Sequence, residues 1–194
     1  MSRPLGKKTD TEPLVEWEYL LILSHLADHW RLCCELLWET GIRIGEALAI
    51  KREDLKDYGV WITREKRKDA LHEHLPLNAG LFARLRVYAF SHKDPRLFPF
   101  DSSSAWWAIK KAVAAAGIHR DIHPHSFRHG FGRRAMKANI SPGNAMDQAT
   151  VVQRMMGHKN IQSTLRYAQP SLAEITDAWR TMNQEDLLTP QPAP

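Results

Sequence analysis

The sequence predicts an α+β fold that is mainly α, a helical domain with one small antiparallel β-sheet. Three features lead there. Apolar residues recur every three or four positions across residues 15–40, the period of one helix face. The period shortens to two in a single stretch, residues 59–77, where β-branched and aromatic residues gather. Stops and starts at Gly41, Gly117, Pro124, Gly157 and Pro170 divide most of the remainder into short helices.

Taken in order, residues 1–13 are polar and basic and carry two prolines, which predicts a flexible arm. Its Arg3, Lys7 and Lys8 either touch phosphates or belong to a solvated leader. Leu20, Leu21, Leu23, Leu26 and Ala27 form one apolar stripe and Leu32, Leu36 and Leu37 another. A break near Asp28–His29 separates the two helices. Gly41 ends the second, and a short helix covers roughly Ile44 to Ile50. Gly59–Thr63 is a strand. Leu71–Leu77 is its partner, with Leu71, Leu75 and Leu77 on one face and His72 and His74 on the other; Glu73 interrupts the apolar face. Pro76 marks an edge position. The charged run Arg64–Asp69 between them is a hairpin tip. Residues 79–92 and 102–117 are helices, the second capped by Asp101 or a following serine. Pro124 opens a helix reaching about Ala138. Ile140–Ala149, with its Ser-Pro-Gly-Asn run, is a loop, Val151–Met156 a short helix, and Asn160–Ala168 another. Ser171 caps a last helix ending near Met182, and residues 183–194 are a flexible tail. The domain therefore spans 14–182, with no internal repeat.

Composition narrows the function. With 194 residues, 43% apolar and 25% charged, the chain can bury a core and is not broadly disordered. The net charge of +5 suits a polyanionic partner. It is uneven: residues 171–194 carry Glu174, Asp177, Glu185 and Asp186 against Arg180, so the basic excess lies upstream. Two adjacent cysteines, Cys33 and Cys34, exclude a disulfide scaffold and indicate a reducing compartment; two buried small side chains explain them better than a redox pair. No apolar run approaches the length of a membrane-spanning helix, and the N-terminus lacks the apolar core of a secretion signal. The expected location is the cytoplasm.

Chemistry-bearing residues collect in four places. In Thr40-Gly41-Ile42-Arg43-Ile44-Gly45-Glu46, Arg43 follows a helix stop between apolar neighbours. Its five-donor fork suits a phosphate, although an internal ion pair with Glu46 explains it as well. In His123-Pro124-His125-Ser126-Phe127-Arg128-His129, the i,i+3 pair His125 and Arg128 forms an anion clamp. His119, His123, His125 and His129 also crowd together as a metal site would. The glutamate of a His-Glu-x-x-His motif and a cysteine cluster are both absent, which weighs against metal. Gly157-His158 is followed nine residues later by Tyr167, which packing alone could explain. The basic hairpin tip, taken by itself, reads as a solvated turn. Together the four supply what cleavage of a phosphodiester by a protein nucleophile needs. Fixed cations neutralise a pentacoordinate phosphorus, a tyrosine oxygen attacks, and a lysine protonates the leaving alkoxide. No metal or other cofactor is required.

In order and spacing these residues resemble the catalytic domain of the tyrosine recombinases, the phage integrase family. Arg43 and Glu46 match its Thr-Gly-x-Arg-x-x-Glu box, His125 and Arg128 its His-x-x-Arg box, with His129 following. Gly157, His158, Thr164 and Tyr167 match its ending. The match runs over roughly residues 14–170. Counting back eight residues from the Leu-Pro-Leu strand end places the family's lysine at Lys68, with Lys66 as the fallback. The resemblance implies a site-specific recombinase that cuts and rejoins DNA through a 3′-phosphotyrosyl link. In it Arg43, Arg128 and His158 hold the scissile phosphate, and His125 positions or deprotonates the nucleophile Tyr167. Lys68 is the general acid. It implies double-stranded DNA with a specific site as partner, assembly as a tetramer on DNA from a protein compatible with a monomer in solution, and a bacterial cytoplasm or nucleoid. A type IB topoisomerase and a non-catalytic DNA-binding regulator share the scaffold and remain alternatives. Arg64, Lys66, Arg67, Lys110, Lys111, Arg133, Arg134 and Lys137 are candidate DNA contacts. Two departures stand out. Arg43 comes only 43 residues in, so the N-terminal helical domain usual in the family is not expected here, as in a short form or an excised fragment. The gap from Arg128 to His158 is also long, with the extra length near Ser141–Thr150.

Overall fold

The computed structural model describes residues 13–64, 71–138, 145–169 and 175–176. The expected arm over 1–12, the hairpin tip at 65–70, most of the last helix over 171–182 and the tail over 183–194 lie outside the described residues. The first apolar stripes form α1 (Glu16–Ser24) and α2 (Asp28–Thr40), divided where expected. Helix α2 is the centre of the core. Leu32, Leu36 and Leu37 are buried along it, each worth about 1.5–3 kcal/mol of burial. Cys33 and Cys34 are buried too, and burial pushes the Cys33 thiol up to about 12, leaving it inert.

Gly41 caps α2 in the left-handed conformation, φ +65°. A side chain there would also overlap the Phe131 ring. This tight exit delivers Arg43 to the start of α3 (Ile44–Ala49). The sheet has three strands in the order β1-β2-β3, antiparallel throughout: β1 (Leu55–Lys56), β2 (Gly59–Arg64) and β3 (Leu71–Pro76). Strand β3 is an edge, as Pro76 indicates. Strand β1 has no counterpart in the periodicity. It is two residues long, and its turn to β2 uses Asp57 and Tyr58 at φ +55° and +54° where an Asn-Gly pair is the usual signal.

Helices α4 (Ala79–Phe90), α5 (Ser102–Ala115) and α6 (Pro124–Lys137) follow. Asp101 caps α5 by accepting from Ser104 N–H at 2.7 Å, and Pro124 opens α6. Helix α7 (Ala145–Met156) begins six residues earlier than the periodicity indicates, so residues 145–149 are helical and not part of a loop. Ala149, Val152 and Met156 are fully buried at helical spacing, and that apolar face against α6 extends the helix backwards. Helix α8 (Gln162–Leu165) runs into a 3₁₀ turn, Arg166–Ala168. Among the described residues no helix is long and apolar enough to cross a membrane.

One buried ion pair ties α1 to the segment before α6. Glu18 is 4% exposed and receives Arg120 Nε at 2.6 Å, while its other oxygen accepts Val15 N–H at 3.1 Å. Burial raises the Glu18 pKa, but these bonds and the Arg120 charge outweigh it and hold the carboxyl below its ordinary value. A carboxyl lowered on folding stabilises above its unfolded pKa, and that contribution disappears as pH falls through the folded value. Glu18→Gln is expected to cost about 1–3 kcal/mol in urea denaturation at pH 7. The gap from wild type should narrow once pH drops below the unfolded glutamate value and close as it falls through the lower folded one.

Candidate active site

Arg128 lies on α6, 1% exposed. Its Nη1 donates to Gly41 O and its Nη2 to Met156 O, both at 2.5 Å. The two carbonyls terminate α2 and α7, and helix C-termini present unpaired, partly negative oxygens. The arginine is thus held by two helix ends in a dry setting. Burial, then the nearby Arg43 charge, lowers its pKa to about 10, which leaves it cationic at neutral pH.

Arg43 caps α3 and is held from behind. Its backbone N–H and its Nη1 each donate to a Glu46 carboxylate oxygen at 2.8 Å. The internal ion pair weighed against a phosphate role is therefore present. It does not bury the side chain, which stays 30% exposed, and it fixes the fork in place. Arg43 borders two cavities. One, of about 440 Å³, is lined also by Glu46, Thr63, His125 and Arg128. The other, of about 220 Å³, is lined also by Arg64, Gly157, His158, Lys159 and Ser163. Arg43, His125, Arg128 and His158, spread over 116 residues of sequence, thus gather around one arginine.

His158 follows Gly157, which ends α7 at φ +62°. Its Nδ1 lies 2.9 Å from the buried Thr164 hydroxyl. Burial, then Arg128 and Arg43, pushes its pKa down to about 4, so the ring is neutral at pH 7. His125 lines the larger of these two cavities with part of its side chain exposed, and its pKa is lowered by partial desolvation of the ring and then by Arg128.

Tyr167 sits in the 3₁₀ turn, 6% exposed, within a cluster of Phe131, Ala135, Val152 and Met156. Gly132 leaves the room its ring needs. Burial raises its pKa, opposed in part by Arg128 and Arg166. The hydroxyl is 2.7 Å from Nδ1 of His129, not His125. His129 is buried, its ring lies 4.6 Å from that of His125, and burial, then His125, lowers its pKa to about 4. In the sequence His129 stands out only as the neighbour of Arg128 and a member of the histidine crowd, not as a partner of Tyr167. Its position four residues after His125, one helical turn on, was the available signal. The Tyr167 ring stacks 6.1 Å from that of His158 but borders neither cavity.

Several expected DNA contacts have other occupations. Arg64 is 3% exposed and salt-bridged to Glu73, so it is not a surface residue; its long side chain turns inward because two carboxylates and a helix end meet it there. Arg134 lies 3.9 Å over the Trp38 ring and donates to Trp38 O. Lys110 pairs with Asp121 and covers Trp106. Lys111 and Lys137 are exposed and Arg133 is half-buried. Lys66, Arg67 and Lys68 lie outside the described residues. Among the described residues no group of three His, Cys, Asp or Glu is placed to hold a metal ion.

The profile of the phage integrase family matches residues 14–174. A tyrosine recombinase XerD from Corynebacterium glutamicum is 28% identical over 163 residues, covering 77% of this chain and 51% of that protein. A tyrosine recombinase XerC from Listeria monocytogenes is 30% identical over 155 residues, covering 71% and 48%. The chain thus spans about half the length of the curated relatives it matches. In structure it resembles the catalytic domain of bacteriophage HP1 integrase (TM-score 0.63, 23% identity, 87% and 94% covered). It also resembles XerA recombinase (TM-score 0.70, 19% identity, 94% and 66% covered). With that profile spanning most of its length, the chain belongs to the phage integrase family.

Proposed function

We propose that this chain carries the active site of a site-specific DNA recombinase that works through a 3′-phosphotyrosyl intermediate. The observation that supports it most is Arg43 bordering both cavities, one with Arg128 and His125, the other with His158. A backbone phosphate placed there meets two permanent cations and two histidines. Attack on phosphorus adds negative charge to the non-bridging oxygens, and preorganised cations favour that charge over the ground state. His158 acts as a neutral donor: with the Thr164 hydroxyl donating to Nδ1, the proton stays on Nε2. Tyr167 is the nucleophile. Its oxygen forms the new bond to phosphorus as the bond to the 5′ oxygen breaks, and its proton passes to His125, which lines the cavity with Arg43 and Arg128. The leaving 5′ oxygen takes a proton from Lys68. Because the phosphotyrosyl link keeps the ester energy, another 5′-hydroxyl can reverse the step, and neither ATP nor metal is needed. For Tyr167 to reach the phosphate, the Arg166–Ala168 turn must carry it away from His129.

The substrate is double-stranded DNA with a specific site, bound through Lys111, Arg133, Lys137 and the hairpin tip and recombined in a tetramer. The test is a library of nicked duplexes of random sequence incubated with the protein in EDTA. The reading expects a protein–DNA link that survives denaturing gels, and sequencing the trapped strands identifies the site. No link from any sequence would overturn it, and a chelator-sensitive cut would favour a metal hydrolase.

The acid has its own test. Lys68→Ala should cleave an ordinary site poorly and regain near wild-type cleavage when sulfur replaces the bridging 5′ oxygen, because a thiolate leaves without a proton. Rescue of Lys66→Ala in its place would move the role to Lys66.

A further inference from the structure

Arg64 ends β2, lines the smaller cavity and is 3% exposed. Its Nε is bonded to Glu73 on β3. Nη2 donates to Met155 O at 2.8 Å and Nη1 to Met156 O at 3.0 Å. Nη1 also lies 3.9 Å from the Glu46 carboxylate. Two of these partners, Glu46 and Met156, lead to residues of the proposed phosphate clamp. Glu46 holds Arg43. Met156 O also receives Arg128 Nη2. The next residue, Gly157, leads straight into His158.

The physical need is plain. The last carbonyls of α7 have no partner within the helix, and they point their negative ends at this spot. Two arginine forks from different elements satisfy them. The approach is so close that a Cβ on Gly157 would come within 2.6 Å of Arg64 Nη1. Arg64 can be buried as a cation because Glu46 and Glu73 face it. Its planar fork reaches several acceptors in fixed directions, which a lysine cannot do.

We propose that Arg64 is a positioning residue: it locks the α7 terminus to the sheet and so sets His158 in register with Arg43 and Arg128. It acts through these residues and not as a DNA contact. This rests on the recombinase reading above, and it extends that reading to a residue on the sheet, outside the family's motif boxes.

The test uses the full chain and the nicked duplex that links to wild type. Single-turnover linkage rates, DNA affinity with its salt dependence, and urea midpoints are measured for Arg64→Gln, His158→Ala and the double variant. Arg64→Gln is expected to slow linkage about tenfold to a hundredfold, the cost of misplacing a catalytic group by about an ångström. Affinity should change less than about threefold with the salt slope unaltered, since a lost phosphate contact would lower that slope by about 1. The double variant should be no slower than the worse single variant, within about threefold. Multiplicative losses would show that Arg64 acts independently of His158, and a lower salt slope would make it a DNA contact; either overturns the proposal. If Arg64→Gln does not fold, Gly157→Ala takes its place, pressing on the same guanidinium with its charge kept, and the same outcomes apply. Wild type that forms no link would overturn the recombinase reading itself, whereas linked wild type with multiplicative losses would overturn only the role of Arg64.

Discussion

Tyr167→Phe is expected to give a folded protein that forms no covalent link to a nicked duplex on which wild type is trapped. The substitution removes one oxygen and keeps the ring. The ring is what fills the space beside Gly132 and packs in the cluster with Phe131, Val152 and Met156. The structural loss is one hydrogen bond, to His129 Nδ1. Leaving that buried nitrogen unpaired costs about 1–3 kcal/mol, which a domain of this size should survive. The chemical loss is complete, because no second hydroxyl is held in that turn. Urea denaturation and the trapping gel are run on the same preparation. A phenylalanine variant that still links to DNA would mean that another side chain attacks phosphorus.

Arg128→Ala should slow linkage by about 10²–10³, the usual range for removing one preorganised donor from a developing charge. This arginine has two jobs that separate experimentally. One is electrostatic, toward the phosphate. The other is structural: Gly41 O and Met156 O lose the donor that joins the ends of α2 and α7. Alanine ends both. Arg128→Lys keeps the charge but loses the fork, since an ammonium cannot reach two carbonyls in fixed directions. Lysine should therefore recover part of the rate and little of the stability. Rates are taken at a temperature where urea curves show both variants folded. A loss under tenfold for alanine in a folded protein would remove Arg128 from the phosphate clamp.

Local chemistry made much of this fold legible. Gly41, Asp101 and Pro124 each impose a backbone requirement that only a few residues meet, and each sits where expected. Period-two alternation found β2 and β3. It missed β1, where two residues offer no period to detect. The start of α7 was hidden by Ser-Pro-Gly-Asn nearby, although Ala149, Val152 and Met156 carried the helical spacing. The candidate site was legible as an ordered set of boxes, since each motif is short and local. What joins the boxes was not. His129 meets Tyr167 across 38 residues, and Arg64 meets Met155 and Met156 across 91 and 92. Contacts of that range depend on how whole elements pack. One clue did exist. Glu73 breaks the apolar face of its strand, and a carboxylate turned toward a core calls for a buried cation. Arg64, diagonal to it across the β2–β3 ladder, supplies that cation.

The most direct measurement of the central claim is the identity of the amino acid joined to DNA. Linked protein from the nicked-duplex reaction is digested with nuclease and protease, and the modified peptide is sequenced by mass spectrometry. The account predicts a nucleotide attached through its 3′ phosphate to Tyr167. Attachment through a 5′ phosphate, or at Tyr19, Tyr58, Tyr88 or any serine, would contradict it.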